Sequence, residues 1–296
     1  MSMFAPVTTT PTPRTKTSAF WRNLKAIEII WYREILRYLR DWIRIITSLM
    51  QPLLFLFIFG SGLARSMNVA GGTTATGAPS VSFQMFLFPG VISMAVLFTA
   101  VFSAISIVWD REFGFLREML VAPVSRTSVV LGKALGGSTV AMVQGTIMLI
   151  FAPLIGVSLN VGLVITLMLE MLLLAFTMTS LGIVIASRMQ SMESFSVVMQ
   201  FVLMPMFFLS GALFPLKNIP GWLAFLNRVD PVTYGVDPLR QATMSGLHLP
   251  AAVANQLGLG IQIFGVTLSV GAELGIVAAL GVIFVTWAAL SFGRQE

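Results

Sequence analysis

The 296-residue chain is 56% hydrophobic and only 10% charged, with a mean hydropathy of +0.90, no cysteine and a single histidine, His248. Soluble globular proteins carry roughly 25% charged residues, so this is a polytopic membrane protein in which one membrane domain accounts for the length. Disulfides, thiolate zinc sites, iron–sulfur clusters and two-histidine metal sites are excluded, and the net charge of +6 does not call for nucleic acid, because basic residues of membrane proteins gather on the cytoplasmic face.

Residues 1–19 are Thr/Pro-rich with no apolar core of a signal peptide, and read as a disordered cytoplasmic tail. Residues 20–44 read as an amphipathic interfacial helix. Phe20, Leu24, Ile27, Trp31, Ile35, Tyr38 and Trp42 recur at steps of three and four, with Arg22, Lys25, Arg33, Arg37, Arg40 and Arg44 opposite. Glu34 and Asp41 flank the apolar stripe, which lipid contact alone does not explain. A packed partner helix or an ion pair with Arg37 would.

Six spans are expected, at about 45–64, 83–109, 128–157, 163–187, 195–214 and 266–292, each near or above the ~20 residues a bilayer core requires. Pro89 and Gly90 predict a kink in the second. Gly132 and Gly136 in the third, and Gly271 and Gly275 in the sixth, form GxxxG patterns that let helices approach closely in lipid. Lys133, one turn into the third span, is expected to snorkel to the interface. Residues 215–250 hold five prolines and five charges and predict two short interfacial or re-entrant helices, one over Trp222–Leu226 and one over Val236–Met244. Residues 251–265 carry no clear pattern.

Between spans two and three lies DREFGFLREMLVAPVSR, residues 110–126. Asp110, Arg111, Glu112, Arg117, Glu118 and Arg126 make it the one strongly charged stretch between Arg65 and Arg188. Phe113, Leu116 and Leu120 are spaced as one face of a short helix, Pro123 breaks it, and Ser125 is placed to cap the next span. Physics alone allows a solvated connecting loop or a docking element. With both termini inside, the cytoplasmic segments hold 14 of the 18 lysines and arginines, which places this loop in the cytoplasm.

Residues 115–137, FLREMLVAPVSRTSVVLGKALGG, resemble the signature region of ABC-2 type permeases, the membrane subunits of ATP-driven exporters of the daunorubicin-resistance and nodulation-factor-export kind. The size and span order of nearly the whole chain fit that resemblance. It implies a coupling helix in the 110–126 loop that contacts a separate ATPase subunit, with Asp110, Arg111, Glu112, Phe115, Leu116, Arg117, Glu118, Leu120 and Arg126 as candidates. It also implies a connecting helix over 20–42 near that ATPase, where Arg33, Glu34, Arg37, Arg40 and Asp41 are the polar candidates. The expected partners are two ATPase copies, which carry the ATP and magnesium, and a second permease protomer, identical or paralogous. Spans two and five would line a cavity between protomers, with Met94, Phe98, Phe102, Met199, Phe201, Met204 and Phe208 as lining candidates.

No Walker A loop occurs: Gly132-Lys133 is followed by Ala134, with no glycine five residues earlier. The chain is therefore expected to hydrolyse no ATP alone and to need no cofactor of its own. Glu170 and Glu273 are the two acids within spans; a proton relay, a substrate contact and a hydrogen-bonded packing role are all open for them. Three transport readings follow: an ATP-driven exporter of a hydrophobic or amphipathic molecule, an ATP-driven exporter of a lipid-linked saccharide, and a proton-coupled secondary transporter using Glu170 and Glu273.

Overall fold

The computed structural model describes residues 19–64, 82–114, 124–216, 219–246, 257–263 and 266–293. Helix α1 (Ala19–Arg40) leads into α2 (Trp42–Leu54), a π-helical turn at Phe55–Phe59, and α3 (Gly60–Ala64). The second membrane segment is α4 (Phe83–Ser103) followed by α5 (Ile105–Glu112). Then come α6 (Arg126–Leu149), a 3-10 turn at Ala152–Ile155, α7 (Val161–Ala186), α8 (Met192–Leu209), the short helices α9 (Gly221–Val229) and α10 (Thr233–Ser245), and α11 (Val270–Gly293). A two-residue antiparallel pair, Gln262–Ile263 with Val266–Thr267, precedes α11.

Five helical stretches among the described residues are long and apolar enough to cross a membrane: Trp42–Gly62, Phe83–Glu112, Val161–Ala186, Met192–Leu209 and Val270–Phe292. Helix α6, at the expected third span, has 24 residues, about 36 Å at 1.5 Å per residue. It is long enough but less apolar, because it carries Lys133, Gln144 and a run of Gly and Ser. Those residues are tolerated because α1, α4, α7 and α11 surround it. The innermost element is α4, most of whose side chains are buried. Against it lie α6, α7, α10, α2 and α8.

Small residues set the closest approaches. A Cβ on Gly90 would overlap the Ala212 carbonyl, so the loop after α8 rests directly on the α4 backbone. Gly132 and Gly136 let α6 meet Ile30 and Glu34 of α1, so the first GxxxG seats the amphipathic helix rather than another span. The second GxxxG differs: among the described residues nothing lies within 4 Å of a Cβ on Gly271 or Gly275.

Several expected boundaries move. The second span does not end at Trp109; helix runs unbroken through Pro89 and Gly90, is interrupted at Ala104 and continues to Glu112. The distortion in the first span is a π-turn at Phe55–Phe59, three residues beyond Pro52. The third span stops at Leu149, and Pro153 falls in the 3-10 turn that follows. Ser125 caps α6 as expected, accepting from Ser128 N at 3.2 Å. Both short helices form as read. Helix α9 exposes Trp222 and Phe225, whereas α10 is buried against α4, α7 and α11. The expected coupling helix and its residues Phe115, Leu116, Arg117, Glu118 and Leu120 lie outside the described residues, as does His248.

These approaches are testable in detergent. Gly90→Ala is expected to lower stability by about 1–3 kcal/mol, since the backbone must shift, whereas Gly271→Ala should be neutral or gain up to about 1 kcal/mol of helix propensity. Thermal unfolding of the two variants checks the contrast.

Candidate functional site: a charged junction where α1, α5 and α6 meet

Lys133 does not reach the surface of the protein. It is 4% exposed, about two turns inside α6, and its ammonium is enclosed. Nζ donates to Asp110 Oδ2 at 2.5 Å, Glu34 Oε1 at 2.9 Å and Ser106 Oγ at 2.9 Å. Three acceptors match the three N–H donors of an ammonium, so the buried charge is satisfied. The expectation of snorkelling fails because α1 covers this face of α6 and brings a carboxylate with it.

Asp110, only 2% exposed, is the hub on the other side. Arg33 Nη2 reaches its Oδ2 at 2.8 Å, and Arg37 Nη2 stands 3.8 Å from Oδ1. Arg37 also lies over the Trp109 ring, 5.7 Å from its centre. Glu34 is shared between Lys133 and Arg33, the latter at 3.4 Å. Burial pushes the Glu34 carboxyl up, but Lys133, Arg37 and Arg33 outweigh it and hold Glu34 below its ordinary value. Trp31 Nε1 donates to Thr139 Oγ1 at 3.0 Å and Tyr38 OH to Gln144 Oε1 at 2.7 Å, so bonds from α1 to α6 recur along both helices. The packed partner helix that Glu34 called for is α6. Asp41 acts elsewhere, where its Oδ1 accepts from Arg44 N at 3.1 Å and caps α2. Arg40 is exposed at the end of α1.

Both ends of the 110–126 stretch are tied to the bundle. Arg111 donates to the Met189 and Ser187 carbonyls at 2.5 and 2.8 Å, after α7. Glu112 Oε2 accepts from Met192 N at 3.4 Å at the start of α8. Ser125 N donates to Asn23 Oδ1 at 3.0 Å on α1, and Arg126 Nη1 to the Phe292 carbonyl at 3.0 Å on α11. A displacement of the intervening residues would therefore load α1, α6, α7, α8 and α11 together. Asp110 thus lies in the bundle, beneath the loop rather than on it.

Met94, Phe98 and Phe102 line a space of about 310 Å³ whose other wall is the α1–α2 region, not α8. Helices α4 and α8 meet instead through Phe98–Phe207 and Phe102–Phe195, ring centres 6.3 and 6.4 Å apart. Met199 is buried, Met204 half-buried, Phe208 exposed and Phe201 83% exposed, so the α8 set faces several directions.

Glu170 is buried in α7 with Oε2 unpartnered. Glu273 accepts from Ile261 N at 3.4 Å and lies against Asp237, which accepts from Gly260 N at 3.1 Å and Gln241 Nε2 at 2.8 Å. Burial pushes Asp237 up, with Arg240 opposing. Arg240 is one of the five charges of the 215–250 region. In the structure it is buried, donating to the Gly211 and Ala212 carbonyls at 2.6 and 3.2 Å, over the Phe86 ring at 4.3 Å. Nothing in its flanking residues signals this; the cause is the turn at Gly211, φ +73°, which aims two carbonyls inward. Among the described residues no group of three or more His, Asp or Glu is placed to hold a metal ion.

The profile of the ABC-2 type transporter family matches residues 25–244, from α1 through α10. The chain belongs to that family. It is similar to a putative transport permease, ycf38, of Porphyra purpurea, with 29% identity over 73% of each chain. Nodulation protein J of Rhizobium meliloti (strain 1021) is 27% identical over 75% of this chain and 85% of its own. The inner membrane transport permease YadH of Escherichia coli (strain K12) is 26% identical over 75% and 82%. The matched region of this ABC-2 protein contains the whole charged junction.

Removing one partner of a buried ion cluster leaves the others uncompensated. Lys133→Met is expected to cost about 3–5 kcal/mol, visible as a lower thermal midpoint. Glu34 gives a pH signature. Its folded value is below its unfolded one, so its contribution is full above the unfolded value, near 4.5, and is lost as pH falls through the lower folded value. Glu34→Gln should therefore flatten the acid limb of the stability profile, measured by unfolding between about pH 3 and 6.

Proposed function

We propose that this chain is the permease subunit of an ATP-driven exporter, with ATP and magnesium handled by two copies of a separate ATPase subunit. Two permease protomers, identical or paralogous, would form the translocation path, in the inner membrane with both termini cytoplasmic. The single observation that carries this reading is the junction. The 110–126 stretch is bonded at both ends to α1, α7, α8 and α11, and Asp110 joins it to α6 through Lys133. An ATPase pressing on residues 115–123 would move five helices at once, which is what coupling requires. Arg111, Glu112 and Arg126 serve as anchors of the loop, and Phe115, Leu116, Arg117, Glu118 and Leu120 supply the contact surface. The relatives' names, transport permease among them, agree with a transport subunit.

The cargo class we favour is a hydrophobic or amphipathic small molecule, drug-like or lipid-like, moved out of the cytoplasm or inner leaflet. The apolar character of α4 and α8 supports it over a large lipid-linked saccharide, which would need a continuous polar path. Proton-coupled transport through Glu170 and Glu273 is less favoured, since Glu273 is engaged by the Ile261 amide and Asp237 at one end of the bundle.

Purification from native membranes in mild detergent tests the assignment. An ATPase subunit should co-elute in about equal amount and be lost when residues 115–123 are replaced by a Gly/Ser linker or when Glu118 is changed to Lys. Retention of the ATPase by both variants would remove the docking assignment, and elution without any ATPase would remove the exporter reading.

A further inference from the structure

The α1–α2 bend opens a cleft that has no assigned role. Helix α1 ends at Arg40 and α2 begins at Trp42, and the bend at Asp41 (φ −99°, ψ 69°) carries α2 along α4. Two cavities open here, of about 310 and 280 Å³, and both are lined by Tyr38, Arg44 and Phe102, so they form one groove. Each is near the lower end of the ~300–1,000 Å³ typical of ligand sites.

The groove is graded. One end is walled by Pro52, Met94, Ala95 and Phe98. The other holds Glu34, Arg37, Asp41 and Trp109. The two acids at that end are already committed, Glu34 to Lys133 and Asp41 to the α2 cap. The two guanidiniums keep spare donors. Among the described residues the Arg44 guanidinium donates to the Phe102 carbonyl, at a long 3.5 Å, and no carboxylate lies within 4 Å of that guanidinium. Arg37 stands 3.8 Å from Asp110, beyond hydrogen-bonding distance, with 37% of its side chain exposed. Two arginine forks with spare donors, at the charged end of an apolar groove, match a phosphodiester attached to hydrocarbon.

We propose that this groove binds one anionic glycerophospholipid of the inner leaflet, its phosphate between Arg37 and Arg44 and the start of an acyl chain along Met94 and Phe98. The orientation, inner rather than outer leaflet, rests on the reading given under Proposed function; the binding itself does not. The volumes accommodate the glycerophosphate and the first methylenes, and the remaining chain lies in the bilayer beside the exposed face of α2.

The test uses the complete chain in neutral detergent, without an ATPase subunit, so that failure of the exporter reading leaves it untouched. Dioleoyl phosphatidylglycerol, dioleoyl phosphatidylcholine and inorganic phosphate are titrated separately, and bound lipid is counted by native mass spectrometry. About one phosphatidylglycerol per chain should be retained in preference to phosphatidylcholine. Arg44→Gln should weaken that binding about tenfold, and Arg44→Lys should restore part of it. Thr99→Phe, which fills the apolar end from a half-buried position, should weaken it while leaving the guanidiniums intact. Equal retention of phosphatidylglycerol by wild type and Arg44→Gln would overturn the proposal, as would equal affinity for the zwitterionic lipid. Displacement of the lipid by an equal concentration of inorganic phosphate would reduce the site to a simple anion site and overturn it too.

Discussion

One ammonium group, Lys133 Nζ, is placed where three helices meet and takes an acceptor from each neighbour: Glu34 from α1, Ser106 and Asp110 from α5. A lone charge at that depth would carry a desolvation cost of several kcal/mol. That cost is offset only if α1 and α5 are both in place, so the ammonium acts as a condition on their arrangement. It is a source of specificity more than of net stability. Close approach at Gly132 and Gly136 brings α1 near enough for Glu34 to reach. The small residues and the charge are therefore one device: the first permits the contact, and the second makes it the only satisfied arrangement.

Much of the architecture follows from this. Helix α1 is too polar to cross a membrane and has a basic face suited to an interface, yet its inner face is bonded to α6. Helix α6 carries Lys133 and Gln144, and α1 and α5 supply both with partners. The loop 110–126 begins at a residue buried in the ion cluster and ends at a residue bonded to α11. A load on that loop would reach the bundle through the hydrogen bonds and ion pairs at its two ends.

The helical layout is legible in the sequence because its signals are local. Apolar length marks the spans, the Ser125 hydroxyl marks a cap, and the proline spacing of 215–250 marks two short helices. The site is legible in part. Glu34 is recognisable as an acid that lipid contact does not account for, but its partner has no local signal. Lys133 is 99 residues from Glu34 and 23 from Asp110, and no periodicity links such positions. The burial of Arg240 lacks a local signal for a similar reason, since its acceptors are backbone carbonyls, which sequence does not distinguish. The Met and Phe residues of spans two and five look like one set by composition, but helix rotation separates them, burying Met199 and exposing Phe201. Hydrophobicity gives the existence of a face and not its azimuth. The Gly271–Gly275 pattern likewise gives a small-residue face, but none of the described residues is seated on it.

If α1 and α6 move as one body with the loop between spans, locking them together should do no harm. The chain has no cysteine, so a single engineered cross-link can test this cleanly. In Trp31→Cys/Thr139→Cys, the two introduced thiols stand on facing positions whose native side chains are hydrogen-bonded, and a short bifunctional thiosulfonate joins them through reducible bonds. The measurement is ATP hydrolysis and transport by the complex with the ATPase subunit proposed for it, before and after cross-linking. Both rates are expected to survive the cross-link, because it joins parts that do not separate. Loss of activity on cross-linking with recovery on reduction would show that α1 and α6 part during the cycle, and would contradict their acting as one body.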